Sequence, residues 1–339
     1  MADNLRDARG QLPLQGKLVT IFGGSGFVGR HLVRRLAKSG ARIRVAVRRP
    51  NEAHFLKPLG AVGQIMPIQA NVRNAASVAR AVEGADIVIN LVGILVESGR
   101  QTFRALQAEG AAKVASAAAA AGVTQYVQMS AIGADPESPS AYARTKAAGE
   151  VAAREHMPGA TVIRPSIVFG PEDEFFNRFA AMARISPFLP LIGDGSTRFQ
   201  PVYVADVAEA IARTLENPAL GGETYELGGP NVYTFRELME LTLRIIGRKR
   251  LLLPLPVPVA RAQATMFEML PLITPPITRD QIAQLTRDNV VAEGAKTLET
   301  LGIDAATAEA IVPTYLYRFR KHGQFTGSTY DATGTPTEA

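Results

Sequence analysis

Three observations predict an α/β fold built on a doubly wound parallel sheet, followed by a smaller C-terminal lobe. A short apolar strand at 17–22 runs into three glycines at three-residue spacing and then into a helix at 27–39. Strands and helices alternate over the first 165 residues, which is typical of parallel sheets. Polar or turn-forming residues follow most of these strands. Because ligands of such sheets bind at the carboxyl ends of the strands, we expect a binding crevice there.

The elements follow one another as short apolar runs and amphipathic stretches. Predicted strands cover 17–22, 41–47, 65–69, 86–92, 124–130 and 160–164, and predicted helices cover 27–39, 74–83, 102–121 and 140–155. The fourth strand is apolar at almost every position, as expected for a strand that is buried on both faces. After residue 171 the periodicity is less regular, and we assign helices at 175–184, 206–216 and 234–246 and a strand at 223–227 to the smaller lobe.

The domain organisation follows from these elements. Residues 1–16 are predicted to form an N-terminal extension, and residues 17–170 a nucleotide-binding domain. Residues 171–322 are predicted to form a smaller substrate or docking lobe that is interleaved with the first domain. Residues 323–339, which are rich in Gly, Thr and Ser, are predicted to be a disordered tail.

Composition excludes several classes of chemistry. The 339-residue chain is 47% hydrophobic and 20% charged, which is ordinary for a globular protein. It has no cysteine, so disulfides, thiol catalysis and cysteine-held iron–sulfur clusters are excluded. The four histidines are scattered without metal-ligand spacing, so we expect no metal site. No uncharged apolar stretch reaches the roughly 20 residues of a membrane span, and residues 1–15 resemble neither a signal nor a transit peptide.

Positive charge is concentrated near the N-terminus. Residues 1–60 hold 12 Lys and Arg against three Asp and Glu. Four of these cations, Arg30, Arg34, Arg35 and Lys38, lie at helical spacing and are compatible with a solvated helix face. The alternative is an anionic partner, such as a cofactor phosphate, a lipid surface or an acidic protein. A nucleic-acid partner is not expected, because no recognition module is present.

The glycines after the first strand fit a dinucleotide fingerprint. Gly23 permits the tight turn, Gly26 lets the backbone approach a pyrophosphate, and Gly29 lets the helix pack closely on the strand. The pyrophosphate would lie at the positive end of the helix dipole. Three glycines between a strand and a helix therefore predict a Rossmann-type nucleotide site. The residues of the turn that are predicted to line it are Gly23, Ser25, Gly26, Phe27, Val28 and Gly29.

The end of the second strand bears on the choice of cofactor. An NAD site has Asp or Glu there for the ribose hydroxyls, whereas an NADP site has Arg for the 2′-phosphate. This chain has Arg48 and Arg49 and no carboxylate before Glu52. Because Arg pairs with phosphate in a bidentate manner, the sequence favours NADPH over NAD. The alternative is that both arginines are simply solvated.

Ser130, Tyr142 and Lys146 form the predicted catalytic set. Tyr142 and Lys146 are four residues apart on a helix, so both side chains project from one face. A nearby ammonium stabilises phenolate and lowers the pKa of the tyrosine. A hydroxyl at the adjacent strand end can hold a substrate carbonyl oxygen. The three residues therefore fit proton transfer coupled to hydride transfer.

These motifs together resemble the short-chain dehydrogenase/reductase superfamily, in its extended or atypical branch. The segments that carry the resemblance are 23–29, 90–93, 142–146, 164–170 and 193–206. The resemblance implies that Tyr142 acts as acid and base, that Lys146 also holds the nicotinamide ribose, and that Ser130 orients the substrate. The cofactor contacts expected beyond the glycine turn are Arg48, Asn71, Val72, Leu91, Val92, Gly93, Met129, Tyr142, Lys146, Pro165 and Ile167. Asn71 departs from the superfamily, which usually has Asp facing the adenine.

A narrower resemblance points to the nucleotide-binding accessory subunits of respiratory complex I, the NADH:ubiquinone oxidoreductase. It is carried by segments 54–60, 169–177, 200–203 and 277–280. This resemblance implies a structural NADPH and no turnover by the chain itself. The retained Ser–Tyr–Lys set favours the alternative, a free NADP-dependent reductase, epimerase or dehydratase that acts on a sugar-nucleotide or quinone-like substrate.

One apolar region is a predicted docking element. Residues 251–258 are too rich in proline for us to expect regular structure, and 259–270 is predicted to be an amphipathic helix that ends at Pro271. Its apolar side would hold Val259, Ala262, Met266, Phe267 and Leu270. We expect residues of roughly 251–280 to contact complex subunits or a membrane surface, on the cytoplasmic side of a respiratory membrane or the matrix side in an organelle. The alternative is that this region packs on its own lobe.

Overall fold

The computed structural model describes residues 10–268, 277–321 and 323. The chain divides into two compact units. Unit 1 comprises the described parts of Met1–Ser166, Val204–Gly228 and Val291–Ala305. Unit 2 comprises those of Ile167–Tyr203, Gly229–Val290 and Ala306–Ala339. The predicted disordered tail, apart from Gly323, lies outside the described residues.

The secondary structure is as follows. The strands are β1 Leu18–Phe22, β2 Arg42–Val47, β3 Ile65–Gln69, β4 Ile87–Asn90, β5 Gln125–Met129, β6 Thr161–Pro165, β7 Val168–Phe169, β8 Phe188–Ile192, β9 Arg198–Phe199, β10 Val202–Tyr203, β11 Thr224–Leu227, β12 Tyr233–Thr234 and β13 Leu251–Leu255. The α-helices are α1 Phe27–Lys38, α2 Ala75–Val82, α3 Glu109–Ala120, α4 Ala141–His156, α5 Phe176–Ile185, α6 Val204–Glu216, α7 Phe235–Ile245, α8 Val257–Glu268, α9 Arg279–Leu285, α10 Ala308–Ile311 and α11 Pro313–Leu316. Residues Pro50–Leu59, Pro218–Leu220 and Tyr317–Phe319 form 3₁₀ turns, and Arg104–Ala108 forms a π turn.

Unit 1 is built on a seven-stranded sheet in the order β11-β6-β5-β4-β1-β2-β3, with every pair parallel. This confirms the predicted fold class. The six strands predicted before residue 165 are found within two residues of their expected bounds. The strand order reverses between β1 and β4, so we expect a ligand to bind at the carboxyl ends of these two strands.

Two elements that we expected in the smaller lobe belong to unit 1 instead. Strand β11 pairs with β6 and extends the main sheet, and helix α6 packs on α1. Arg35 of α1 forms ion pairs with Glu209 and Glu216 of α6, the latter at 2.7 Å. The sequence did not reveal this placement because the partners are more than 170 residues apart.

The helix predicted over 102–121 is divided into a π turn, Arg104–Ala108, and helix α3. The π turn brings the carbonyl oxygen of Gln107 close to α4: a Cβ added at Gly149 would lie only 2.4 Å from it. Helix α4 begins as predicted, because the hydroxyl of Ser140 accepts a hydrogen bond from the backbone N–H of Ala143 at 3.2 Å. Gly149 therefore allows the π turn and α4 to approach closely.

A late segment, Val291–Ala305, completes unit 1 at the open edge of the sheet. The backbone N–H of Glu226 on β11 donates to the carbonyl of Lys296 at 2.9 Å, and Tyr225 and Lys296 form a parallel bridge. The Glu226 carboxylate accepts from the N–H of Ala292 at 2.9 Å. Leu301 of this segment is buried. We call residues Val291–Ala305 the edge segment.

Unit 2 has its own core, which is rich in aromatic residues from α5, α7 and α11. Contrary to the prediction, 251–258 has regular structure. Strand β13 pairs in parallel with β8, and α8 begins at Val257 with Pro258 in its first turn. Proline is tolerated at both places, on an edge strand and at a helix start, because no backbone hydrogen is needed there. The predicted end of the helix at Pro271 lies outside the described residues.

Of the apolar side predicted for α8, Val259, Ala262 and Met266 are exposed and Phe267 is half-buried, while Leu270 lies outside the described residues. Ala260 and Ala264 face a small cluster with Ile192 and Ile282, whereas Val259 and Met266 are more than half exposed. None of the helices among the described residues is long and apolar enough to cross a membrane.

Candidate nucleotide-binding site

The glycine turn has the geometry that the fingerprint requires. Gly23 has φ of +78°, and its carbonyl accepts from the N–H of Gly26 at 3.0 Å. A Cβ at Gly29 would lie 2.6 Å from the Gly23 carbonyl oxygen and from backbone atoms of Gly24. Helix α1 has Gly26 at its N-cap and no side chain caps it. Its first N–H groups are therefore presented without a competing side chain, which suits a pyrophosphate.

The turn lies against the segment that follows β4. A Cβ at Gly23 would be 3.3 Å from the backbone of both Leu91 and Val92. The other residues of the turn are held locally. The carbonyl of Ser25 accepts a hydrogen bond from Arg30, and the ring of Phe27 packs edge-on against His31. Val28 is half-buried. The structure therefore brings the glycine turn and the end of β4 together, as the sequence predicts for one crevice.

The two arginines after β2 have different partners. Arg49 forms an exposed ion pair with Glu52 at 2.9 Å. The exposed Arg48 donates instead to the side-chain carbonyl of Gln101, and no carboxylate pairs with it among the described residues. Arg48 is thus the residue at this strand end with positive charge available for a phosphate.

Asn71, which follows β3, is used in a local turn. Its side-chain oxygen accepts from the N–H of Arg73 at 3.1 Å, and its own N–H donates to the Ser77 hydroxyl at 3.1 Å. The side-chain amide N–H groups remain as donors toward an adenine nitrogen. The next residue, Val72, is buried and lies close to Gly110 of α3.

Lys146 is buried at the carboxyl end of β5. Its Nζ donates to the carbonyl of Met129 at 3.3 Å, and a Cβ at Gly93 would be 3.2 Å from this Nζ. Burial lowers the pKa of Lys146 to about 8, opposed by the nearby carboxylate of Glu150. The glycine at position 93 therefore leaves room for an ammonium group that loses most of its hydration.

The hydroxyl of Ser130 is buried, and it has no hydrogen-bond partner among the described residues. Its backbone N–H donates to Ile163 at 2.7 Å, and the N–H of Ile132 donates to Pro165 at 3.0 Å. The ends of β5 and β6 are thereby joined. A buried hydroxyl without a partner costs about 1–3 kcal/mol, so it indicates a position for a ligand oxygen.

Tyr142 projects from the same face of α4 as Lys146, as the spacing predicts. The Lys146 Nζ lies 5.7 Å from the centre of the Tyr142 ring, and the ring of Phe103 meets that of Tyr142 edge-on at 5.8 Å. The π turn also contributes Gln107, whose side chain donates to the carbonyl of Ile94 at 2.8 Å and accepts from Thr145 at 3.1 Å. Gln107 thus ties the segment after β4 to the helix that carries Tyr142.

A partly buried ion pair lies one helical turn beyond Lys146. Arg164 of β6 donates to both oxygens of Glu150, at 2.9 and 2.7 Å, and also contacts Glu226 of β11 at 3.4 Å. These carboxylates raise the pKa of Arg164. The ion pair fixes Glu150 beside the ammonium of Lys146 in the low-dielectric interior.

A family model matches this geometry. The model described as the NAD dependent epimerase/dehydratase family matches residues 19–228. This chain belongs to the NAD dependent epimerase/dehydratase family. The matched span covers every site element described above.

Several known proteins are similar to this chain over most of its length. The NADH dehydrogenase [ubiquinone] 1 alpha subcomplex subunit 9, mitochondrial, of Arabidopsis thaliana is 37% identical over 94% of this chain and 82% of its own length. A ceramide reductase of Caulobacter vibrioides is 34% identical over 74% of this chain and 75% of its own length. Among solved structures, the NADPH-dependent quinone oxidoreductase QOR2 of Escherichia coli, complexed with NADPH, has a TM-score of 0.71 at 21% identity, over 88% of this chain and 99% of its own. That likeness shows a shared fold.

The structure places the predicted site residues as follows. The glycine turn, Arg48, Asn71, Leu91–Gly93, Met129, Ser130 and Pro165 lie at or just after the carboxyl ends of strands of one sheet, and Tyr142 and Lys146 lie on helix α4. That these residues bind a cofactor or substrate stays a prediction. Ile167 differs, because it belongs to unit 2 and its side chain packs against the core of that unit. Its contact with a cofactor stays a prediction.

Sequence reasoning missed four residues around Tyr142 and Lys146. Glu150 had a usable signal, because it follows Lys146 by four residues on the same helix face. Arg164 belongs to a motif of the sequence, but nothing local connects it with the site. Phe103 directly precedes the π turn and Gln107 lies on it, and hydrophobic periodicity does not predict such a turn.

Proposed function

We propose that this member of the family binds NADPH at the carboxyl edge of the unit 1 sheet and serves as an accessory subunit of a respiratory NADH:quinone oxidoreductase, with the nucleotide in a structural role. The observation that carries the proposal is the extent of similarity to the Arabidopsis subunit, 94% of this chain and 82% of that protein. A relative that matched only the nucleotide domain would support the cofactor alone. This match also includes the C-terminal region that would dock.

The residues present fit the cofactor. The crowding at Gly29 and the uncapped start of α1 suit a pyrophosphate, and Lys146 has the position and charge to hold the nicotinamide ribose. NADPH is favoured over NADH because Arg48 stands where an NAD site would have a carboxylate. Its guanidinium is exposed and can pair with a 2′-phosphate. Asn71 would donate to the adenine.

The docking part of the proposal concerns roughly residues 251–280. Leu251 and Leu253 of β13 are exposed, as are Val259 and Met266 of α8. Exposed apolar side chains on neighbouring elements suit a hydrophobic partner or the edge of a membrane. The proposed location is therefore peripheral, on the cytoplasmic side of a respiratory membrane or the matrix side in an organelle.

A second candidate is a free NADP-dependent reductase, epimerase or dehydratase. The buried hydroxyl of Ser130 and the similarity to a ceramide reductase favour it. The nicotinamide would supply or accept a hydride. Ser130 would hold the carbonyl oxygen, Tyr142 would give it a proton, and the Lys146 ammonium would stabilise the resulting phenolate.

A pull-down in mild detergent tests the two candidates. The tagged chain is recovered from membranes of its own source, the partners are identified, and the bound nucleotide is released and quantified. Subunits of an NADH:quinone oxidoreductase together with about one NADPH per chain are expected. A chain without such partners that oxidises NADPH with a carbonyl substrate, and loses that activity in Tyr142→Phe, would establish the second candidate instead.

A further inference from the structure

The parallel pair of strands β8 and β13 is apolar on both of its faces. Leu189 and Leu191 of β8 are fully buried in the core of unit 2. Phe188, which alternates with them, is 46% exposed, and its register partner Leu251 and the nearby Leu253 are exposed as well. We call these three exposed side chains the outer face. Parallel strands normally have both faces covered, and among the described residues the outer face has no such cover.

Positive charge lies at one end of the outer face. Residues 244–250, just before β13, hold four Lys and Arg and no acidic residue. Arg184 comes shortly before β8, and the Arg250 guanidinium donates to the carbonyl of Ala183 at 2.8 Å. Because the two strands are parallel, both basic segments lie at the same, amino-terminal end of the pair.

These cations border an open cleft of about 390 Å³. Arg236, Lys249 and Arg250 line it, and Glu240 is the carboxylate beside them, so three cations and one anion leave a net charge of +2. The two arginines donate to backbone carbonyls, and none of the three cations forms an ion pair among the described residues. Leu251 also lines the cleft and connects it with the outer face.

An anionic phospholipid presents groups in the same order as this surface. Its phosphate is negative and lies at the surface of the bilayer, and its acyl chains lie beneath. Cations at one end of an apolar face match these two parts. A soluble phosphate would satisfy the cations but leave the outer face in water. An uncharged hydrophobic partner would cover the outer face but leave the positive charge unmatched.

We propose that the amino-terminal end of the β8–β13 pair binds anionic phospholipid of a membrane surface, with the phosphate at Lys249 and Arg250 and the acyl chains against the outer face. Arg184 adds attraction to the anionic surface. This inference rests on the docking part of the proposed function and names the partner of that surface. It assigns a role to the cations before β13, which the exposed apolar side chains alone do not identify.

Cosedimentation of the full chain with vesicles tests this inference. We expect binding to vesicles of phosphatidylcholine and phosphatidylglycerol in about a four-to-one ratio, and binding at least about tenfold weaker to phosphatidylcholine alone. In Arg184→Gln with Lys249→Gln, the association constant for the anionic vesicles should fall about thirtyfold, because two cations near the surface are lost. Arg34→Gln with Lys38→Gln is the matched control, since it removes the same two exposed side chains from unit 1. This control should bind like the unmodified protein.

Salt and apolar substitutions separate the two parts of the ligand. NaCl at about 0.5 M should weaken binding to the anionic vesicles, because it screens the charges. Leu251→Ser with Leu253→Ser should weaken it more than about tenfold at either salt concentration, since the acyl contact is lost. Val62→Ser with Val151→Ser, which removes two exposed aliphatic side chains from unit 1, should have little effect.

The other outcomes would overturn the lipid assignment. Equal binding to both kinds of vesicle, or an equal effect of the control charges, would show that Lys249 and Arg184 recognise no anionic lipid. Binding of inorganic phosphate in isothermal titration without binding to vesicles would assign the cleft to a soluble phosphate. Sedimentation with native membranes but with neither kind of vesicle would assign the surface to a protein partner.

Failure of the accessory-subunit proposal is seen separately. A pull-down without oxidoreductase subunits would refute that role, whatever the vesicles show. If the leucine variant does not fold, the charge variant decides the lipid assignment, because Arg184 and Lys249 are exposed. Vesicle binding that is unchanged in the folded charge variant would contradict it.

Discussion

The carboxyl edge of the unit 1 sheet and the apolar surface of β13 and α8 in unit 2 place opposite kinds of groups in unfavourable surroundings. At the sheet edge, the Ser130 hydroxyl and the Lys146 ammonium are polar groups withdrawn from water. On unit 2, Leu251 is 69% exposed and Val259 is 53% exposed, so apolar groups are left in water. Each arrangement is unfavourable alone and gains from a partner of its own character. Nucleotide binding and docking should therefore be separable by mutation.

The largest effect is expected from Gly29→Ala. The new Cβ would lie 2.6 Å from backbone atoms of the glycine turn, so the start of α1 must shift. We expect loss of the bound nucleotide, measured after denaturing the purified protein, with membrane association retained. Gly159→Ala is the control, because no atom lies within 4 Å of its added Cβ. Normal nucleotide content in Gly29→Ala would contradict the assignment of the turn.

Replacing Val259 and Met266 with Ser should affect the other region. Burial of each side chain at an interface is worth roughly 1.5–3 kcal/mol. The association constant of the double variant for the membrane should therefore fall by more than about a hundredfold, and the variant should be lost from the membrane fraction. Nucleotide content and the melting temperature should stay unchanged.

The matched control for this pair is Val62→Ser, which removes a fully exposed valine from unit 1. If the control variant is released from the membrane to the same extent, loss of any exposed apolar side chain weakens association, and the surface of Val259 and Met266 has no special role. Unfolding of the double variant would show that the two side chains stabilise unit 2 itself.

The pH dependence of stability tests how strongly the Lys146 ammonium is buried at the sheet edge. The pKa of Lys146 is lowered by burial to about 8, from an ordinary value of 10.5. Between these values the unfolded chain holds a proton that the folded chain lacks, so the free energy of unfolding should rise with pH above 8, by at most about 1.4 kcal/mol per pH unit. Chemical denaturation of the nucleotide-free protein from pH 7.5 to 9.5 measures the slope.

In Lys146→Met this rise should disappear, whereas Lys57→Met, which removes an exposed lysine, should keep it. An unchanged slope in Lys146→Met would show that another group is responsible and that the Lys146 ammonium is better hydrated than its burial implies.

The smallest effect is expected from Ser130→Ala. Removing a buried hydroxyl that has no partner should leave the free energy of unfolding unchanged or raise it by up to about 1 kcal/mol. Ser140→Ala makes the comparison, since the Ser140 hydroxyl caps α4 and its loss should cost about 1 kcal/mol. Equal destabilisation in the two variants, measured by urea unfolding, would mean that the Ser130 hydroxyl has a hydrogen-bond partner within the protein and is not a position for a ligand oxygen.

The two regions also differ in how far the sequence predicts them. The sheet edge follows from local patterns, because glycine spacing, apolar strands and the Tyr142–Lys146 spacing each act over a few residues. The β8–β13 pairing joins segments about 60 residues apart, so the proline content of 251–258 alone predicts no strand there, and that prediction is wrong. The pairing of Arg164 with Glu150 depends on β6 lying beside α4, which no local pattern predicts. The position of Glu150 itself follows from helical spacing, but its partner follows only from the topology.

The edge segment has a consequence for how the chain is made. Among the described residues, the outer side of strand β11 pairs with Lys296, and the Glu226 carboxylate accepts a hydrogen bond from the N–H of Ala292. During synthesis, the whole of Gly229–Val290 leaves the ribosome before either residue does. Until then the outer edge of the nascent sheet has unpaired backbone groups, a template for pairing with another chain. A transcript truncated shortly after residue 228 would encode the nucleotide fingerprint and the Ser–Tyr–Lys set, yet its product would keep that edge open and would aggregate.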